Sequence, residues 1–193
     1  MDNAKKINID NLKRCIMDLS IDMPLYLNNQ KQAIKFDFEK YDDKTTKTVV
    51  KEILQLLFEN TYFWVCEYGG NSSRTYCEKK LIKAKIKDVM TIPYISSIDP
   101  EDFEYPNNSI TCIHISMSEF DLESYTKYVM SSDFISNTIF LIDDERYIAV
   151  NMYDRRGMDI ATVDRQILKG LYAKYDKYIS EYYLNNILEI VKS

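Results

Sequence analysis

The sequence is poor in the residues that build flexible loops and metal sites: it has four glycines, four prolines, four cysteines and one histidine in 193 residues. So few glycines and prolines exclude a glycine-rich phosphate loop and a long proline-rich linker. The cysteines form no Cys-x-x-Cys pair, and His114 is the single histidine, so a zinc site of a common type has little support. We expect no metal and no cofactor, and buried, reduced thiols at Cys15, Cys66, Cys77 and Cys112.

Long apolar runs and a basic surface are also missing. No segment approaches the ~20 apolar residues that a membrane-spanning helix needs. The N-terminal residues, Met1 to Lys6, lack the apolar centre of a signal peptide. The net charge of −5 argues against general nucleic-acid binding, which favours a basic surface. We therefore expect a cytoplasmic protein without membrane or nucleic-acid partners.

Apolar residues make up 46% of the chain, which is enough for a full core. A chain of this length should bury roughly 70% of its unfolded surface. No internal repeat is present, and we expect residues 1–193 to form a single domain. Helical spacing of apolar residues predicts helices over 11–19, capped by Asn8 or Asp10, and over 44–59. Alternation of apolar and polar residues predicts strands over 33–39, 81–87 and 110–117, and the aromatic run 62–66, which is too short for a helix, predicts a central strand.

Turn-forming residues mark the segments between these elements. Pro24 predicts an irregular segment after it, and three further prolines predict the same over 91–108. Residues 69–73 are typical of a surface loop, with a mobile site loop as the alternative. The lysines in 81–87 are typical of a guarded strand edge, with a nucleic-acid patch as the alternative. Ser118 and Asp121 resemble a capping box that opens a helix to about residue 131.

The C-terminal third, 137–190, carries the most distinctive pattern. It predicts a strand over 138–142, a polar turn over 143–146, a strand over 147–153 with alternating faces, a tight turn over 154–157 and a short strand over 158–161. We expect Gly157 at positive φ, because glycine adopts it without a steric penalty. Thr162 is the predicted N-cap of one long helix. Its predicted apolar stripe comprises Ile167, Leu171, Tyr175, Tyr178 and Tyr182.

Together these elements predict the α+β class: a mainly antiparallel sheet of about five to seven strands, with helices on at least one face. Strands outnumber the helical crossovers that a wholly parallel sheet would need. The sequence does not predict the strand order or the oligomeric state.

The C-terminal pattern resembles a bacterial family catalogued as domain-of-unknown-function family 3885. The similarity lies in residues 140–142, in Tyr-Asp-Arg-Arg-Gly-Met-Asp-Ile over 153–160, and in Leu-Tyr-Ala-Lys-Tyr over 171–175. The family usually has a second Asp where this chain has Arg155, so that acidic pair is not retained. The resemblance implies a fold family without an established activity. Its members are small bacterial proteins, and some such families act as immunity partners of secreted toxins.

Few residues suggest catalysis. Cys112 and His114 share a strand face, which permits a thiol–imidazole pair but more often serves packing. The turn formed by Asp154, Arg155, Arg156, Gly157 and Asp159 could bind an anion or a metal, or be a polar turn whose charges pair with each other. The tyrosine stripe could stack bases, but its spacing favours a core face.

Charge patterning gives the most informative functional signal. Residues 98–126 contain seven carboxylates and no Lys or Arg, and a solvated surface is the simplest explanation. The hypothesis we carry forward is a non-enzymatic immunity protein that neutralises a basic toxin through an acidic surface. The alternative is a small enzyme that uses the Asp154–Asp159 turn. The predicted partner-binding residues are Asp99, Glu101, Asp102, Glu104, Glu119, Asp121, Glu123, Asp143, Asp144 and Glu145.

Overall fold

The fold is α+β, as the sequence predicts, and it is built on one antiparallel sheet. The computed structural model describes residues 8–21, 25–69, 89–93, 109–131 and 139–192. Seven strands in these residues form the sheet in the order β1-β7-β6-β5-β2-β4-β3. The strands are β1 (Ala33–Asp37), β2 (Tyr62–Gly69), β3 (Val89–Pro93), β4 (Ser109–Ser116), β5 (Ile139–Asp143), β6 (Ile148–Asp154) and β7 (Gly157–Thr162).

Six α-helices accompany the sheet within the described residues. They are α1 (Ile9–Asp18), α2 (Leu25–Asn28), α3 (Asp43–Phe58), α4 (Leu122–Met130), α5 (Arg165–Tyr175) and α6 (Leu184–Lys192). None of the described helices is long and apolar enough to cross a membrane.

Each face of the sheet is covered by helices, so there are two cores. On one face Val65, Leu141 and Val150 pack with α3, α4, α5 and α6. On the other face Trp64 and Phe140 pack with α1 and α2. The alternation predicted for β6 is confirmed, since its successive side chains enter opposite cores. Ala33, at the start of β1, is buried in the second core.

The first two predicted helices are confirmed. Asn8 caps α1, where its side chain accepts hydrogen bonds from the backbone N–H groups of Asp10 and Asn11. Asp42 caps α3 by accepting a 2.7 Å bond from the N–H of Thr45. The apolar stripe of α3 is entirely buried and comprises Val49, Val50, Ile53, Leu54, Leu57 and Phe58.

Three local predictions are wrong. Residues 25–28, after Pro24, form a helical turn rather than an irregular segment. Residues 91–93, predicted to be irregular, belong to β3 because they pair with β4. The N-cap of α4 is Asp121, which accepts a bond from the N–H of Ser124. The carboxylate of Glu119 accepts a 2.8 Å bond from the backbone N–H of Ser116.

The sequence predicts one long C-terminal helix, but the structure has two helices there, α5 and α6. After α5 the chain forms two 3-10 turns, Asp176–Tyr178 and Glu181–Tyr183, before α6 begins. Between the turns Ile179 bridges Phe36, and the N–H of Ser180 donates a 2.9 Å bond to the carbonyl of Lys35. The free edge of β1 thus gains backbone partners, which explains the interruption. Thr162 is not the N-cap either, since Asp164 takes that position through a bond from the N–H of Gln166.

Several predictions lie outside the described residues. These are the loop after residue 69, the lysine-rich strand 81–87, most of the segment 91–108, and Cys77. The four acidic residues Asp99, Glu101, Asp102 and Glu104 also lie there.

Candidate functional site

The turn between β6 and β7 is closed by its own charges. The Asp154 carboxylate is buried and accepts three bonds from Arg156: from the backbone N–H at 2.7 Å, from Nε at 2.9 Å and from Nη2 at 2.6 Å. Both guanidinium bonds go to Oδ2 and the backbone bond goes to Oδ1, and these charge-assisted bonds fix the turn geometry. This arrangement agrees with the polar-turn interpretation of the motif.

Space for a ligand at this turn is small. Arg155 is exposed, and its guanidinium lies 4.0 Å from the exposed Asp43 carboxylate. The cavity here has a volume of about 60 Å³ and is lined by Phe38, Glu39, Tyr41, Asp43, Arg155 and Arg156. Small-molecule sites usually enclose roughly 300–1,000 Å³. The turn therefore has no pocket of substrate size.

Asp159 anchors β7 to its neighbours and is fully buried. Its Oδ1 pairs with Lys35 Nζ at 3.1 Å, and its Oδ2 accepts a 3.0 Å bond from the N–H of Tyr26. Burial raises the pKa of Asp159, while Lys35 and the Tyr26 bond oppose the increase. The sequence alone does not identify Lys35 as the partner of Asp159, because that pairing depends on which strand lies beside β7. In the sheet, Lys35 lies directly opposite Asp159.

Tyr153 completes this cluster and explains Gly157. Lys35 Nζ lies 4.3 Å from the centre of the Tyr153 ring, a cation–π contact. Gly157 is not at positive φ, so that prediction is wrong. Instead, a Cβ at Gly157 would lie 1.8 Å from the Tyr153 hydroxyl oxygen and 3.0 Å from the Phe36 carbonyl oxygen. A side chain at this position would have to displace the phenol of Tyr153, which occupies the space of a Cβ.

Cys112 and His114 have different neighbours. The Cys112 thiol is buried, with its Sγ 3.5 Å from that of Cys66. The His114 ring lies 4.6 Å from the Trp64 ring and 5.5 Å from the Tyr62 ring, measured between centroids. The two side chains thus serve different contacts, and nothing in this geometry favours a thiol–imidazole pair.

Asp143 and Asp144, which the sequence analysis assigns to the partner surface, are buried. Asp143 accepts bonds from the backbone N–H groups of Glu145 and Arg146, and its Oδ2 pairs with Arg146 Nε at 2.7 Å. Asp144 accepts a 3.0 Å bond from Trp64 Nε1. Burial raises the pKa of Asp144, and the Trp64 bond opposes that increase. Both carboxylates therefore build the β5–β6 hairpin.

One end of the sheet nevertheless carries an exposed tyrosine and several acidic residues. Arg146 Nη2 bonds the carbonyl of Leu57 and lies 3.2 Å from Thr61 Oγ1, which fixes the hairpin against the α3–β2 connection. Tyr62 pairs with Ser116, which is bonded to Glu119. We call this surface the acidic end. It comprises Glu59, Tyr62, Glu119 and Glu145.

Exposure supports the definition of the acidic end. Tyr62 is 51% exposed, Glu59 and Glu145 are exposed, and Glu119 is half-buried. Glu119 accepts bonds from the N–H and the hydroxyl of Ser116, and the two other predicted acids nearby also have partners. Asp121 caps α4, and the exposed Glu123 pairs with Lys51 of α3, which lowers the pKa of Glu123. Sequence reasoning identified Glu119 and Glu145 but missed Glu59 and Tyr62, because it considered acids that are close in sequence.

Comparison with known proteins gives one family. A family model described as a domain of unknown function, DUF3885, matches residues 9–183. No curated protein and no solved structure matches the chain.

Proposed function

The chain belongs to the DUF3885 family, and we propose that it is a non-enzymatic protein-binding domain that engages a basic protein through the acidic end. Its partner is a basic toxin domain, which it neutralises in the cytoplasm as an immunity protein. The observation that carries the proposal is that the exposed Tyr62 lies at the same end of the sheet as Glu59, Glu119 and Glu145.

Tyr62 has the properties of an interface anchor. Tyrosine is enriched among residues that dominate binding energy, and half of this side chain is exposed. Its backbone is held in the β2–β4 pairing and its ring contacts His114, so little side-chain freedom remains to be lost on binding. A rigid, half-exposed aromatic ring suits a protein interface better than a catalytic role.

The surrounding carboxylates supply the selectivity. Acidic groups around an anchor attract basic partners over distances of roughly a Debye length, about 8 Å at physiological salt, and repel acidic ones. Arg146, the basic side chain beside them, is paired with Asp143. The acidic end therefore favours a lysine- or arginine-rich partner surface.

The acids Asp99, Glu101, Asp102 and Glu104 stay in the proposal as a second acidic segment. They follow β3 and precede β4 in sequence. Their contribution is separable from that of the acidic end by mutation. No observation in the described residues favours the alternative of an enzyme at the Asp154–Asp159 turn, where the cavity measures about 60 Å³.

The test first asks whether a gene adjacent to this one encodes a basic toxin domain, and then measures binding of that domain by interferometry. The variant Glu59→Gln, Tyr62→Ala, Glu145→Gln should weaken binding at least tenfold, as expected when an aromatic anchor is lost. The matched control, Glu52→Gln, Tyr182→Ala, Glu189→Gln, makes the same chemical changes at exposed positions outside the acidic end and should bind normally.

Protection in cells gives the second measurement. Cells that co-express the toxin should survive with the wild-type chain and the control, and die with the acidic-end variant. A separate variant, Asp99→Asn, Glu101→Gln, Asp102→Asn, Glu104→Gln, measures the contribution of the second segment. Full binding and full protection by both variants would overturn the proposal.

A further inference from the structure

Two thiols face each other across two neighbouring strands of the sheet. Cys66 of β2 and Cys112 of β4 are directly opposed in the antiparallel register. Their Sγ atoms lie 3.5 Å apart, and both residues are fully buried in the second core. The two sulfurs are therefore in van der Waals contact although the residues are far apart in sequence.

We propose that Cys66 and Cys112 form an oxidation site that a small peroxide converts to a disulfide between the two strands. This inference does not rest on the proposed function, and its test requires no partner protein.

The backbone geometry permits the bond. Directly opposed residues of an antiparallel pair have Cα atoms roughly 4.5–5.5 Å apart. Disulfides are compatible with Cα separations of roughly 4.4–6.8 Å. The register thus places the two residues within the required range, and rotation of the side chains brings the sulfurs to bonding distance.

Hydrogen peroxide supplies a balanced reaction. One thiolate attacks a peroxide oxygen, which forms a sulfenic acid and releases hydroxide, protonated to water. The second thiol then attacks the sulfenic sulfur, the S–S bond forms, and the sulfenic oxygen leaves as a second water. The thiols lose two electrons and two protons in total, and one peroxide is reduced to two waters.

Access to the pair is through the end of the sheet. β4 lies between β2 and β3, and β3 is the last strand in the order of the described strands. Met90 of β3 lies opposite Cys112 and is only partly buried. Local opening of a terminal strand costs less than global unfolding, and peroxide is little larger than water. Peroxide therefore reaches Cys112 first.

Cys15 provides an internal comparison in the same core. Burial, followed by the charges of Asp144 and Asp143, raises the pKa of the Cys15 thiol. Cys15 lies on α1, and within the described residues only Cys66 and Cys112 have their sulfurs in contact, so no neighbouring thiol is in place to bond to Cys15. We expect Cys15 to stay reduced under conditions that oxidise the Cys66–Cys112 pair.

The experiment treats the full-length chain with hydrogen peroxide, blocks the remaining thiols with a maleimide and identifies linked peptides by mass spectrometry. We expect one cross-link, between Cys66 and Cys112, with Cys15 alkylated. Oxidation should raise the melting temperature by roughly 5–10 °C, because the bond closes a long loop, and dithiothreitol should reverse the increase.

Three single substitutions test which cysteines form the cross-link. Cys66→Ser and Cys112→Ala should each abolish the cross-link and the rise in melting temperature, while Cys77→Ser should keep both. If one of these variants does not fold, mass spectrometry of the wild-type chain still shows whether Cys66 and Cys112 are linked. A cross-link through Cys77, or full alkylation of Cys66 and Cys112 at peroxide concentrations that oxidise a solvent-exposed thiol peptide, would overturn the proposal.

Discussion

Tyr153 and Gly157 show how one side chain dictates a neighbour. The phenol oxygen occupies the position that a Cβ at Gly157 would fill, and Lys35 and Asp159 hold the region together below it. The sequence marks Gly157 as special, but it does not distinguish a requirement for positive φ from a requirement for space. That distinction depends on which strand lies beside β7, which local pattern does not encode.

A double-mutant cycle tests this account of Gly157. Gly157→Ala should reduce the free energy of unfolding by about 1–3 kcal/mol, the usual cost of overpacking. In a Tyr153→Ala background the same change should cost clearly less, because only the contact with the Phe36 carbonyl remains. Urea denaturation of the four proteins gives the coupling energy. Equal costs in both backgrounds would show that Tyr153 is not the cause.

Asp144 gives a pH-dependent prediction. Its raised pKa means that the folded state holds the proton more tightly than the unfolded chain. The stability that Asp144 contributes is therefore complete below its unfolded pKa, about 3.9, and is lost as the pH rises through the folded value. Asp144→Asn keeps an oxygen acceptor for Trp64 and does not titrate.

The unfolding free energy of Asp144→Asn relative to wild type should therefore rise as the pH goes from 4 to 8. Urea titrations at each pH measure the difference. A variant that loses stability relative to wild type as the pH rises would show that the ionised carboxylate is the stabilising form.

At the scale of elements, the C-terminal region shows the limit of periodicity. Leu171, Tyr175 and Tyr178 are buried, as their spacing predicts, whereas Tyr182 is 86% exposed. The helical period ends because Ile179 and Ser180 leave the helix to pair with β1. A stripe of apolar residues predicts a buried face correctly within one helix, but it contains no information on a backbone partner elsewhere.

Two substitutions in this region should differ sharply. Leu171 is 1% exposed, so Leu171→Ala should cost roughly 2–5 kcal/mol of unfolding free energy. Tyr182→Ala removes a larger but exposed side chain and should change stability by no more than about 0.5 kcal/mol. Chemical denaturation compares them directly. Similar losses for both would indicate that one continuous helix buries the whole stripe.

At the scale of the molecule, the sequence was sufficient for the fold class and for most elements of the described chain. Strong alternation and helical spacing, as in β6 and α3, carry that information. The acidic end was only partly predictable. Glu59 and Tyr62 lie at the same end of the sheet as Glu119 and Glu145 because β2 pairs with β4 and the β5–β6 hairpin is bonded to Thr61. Such proximity follows from the strand order, which a single sequence does not specify.

The association rate with the basic partner, measured as a function of ionic strength, tests the central claim most directly. The wild-type rate should fall steeply as salt increases, because exposed charges steer the encounter. Glu59→Gln, Glu145→Gln should associate more slowly at low salt and show a flatter salt dependence, while Glu52→Gln, Glu189→Gln should follow the wild type. Identical salt dependence for all three proteins would contradict a role of the acidic end in recognition.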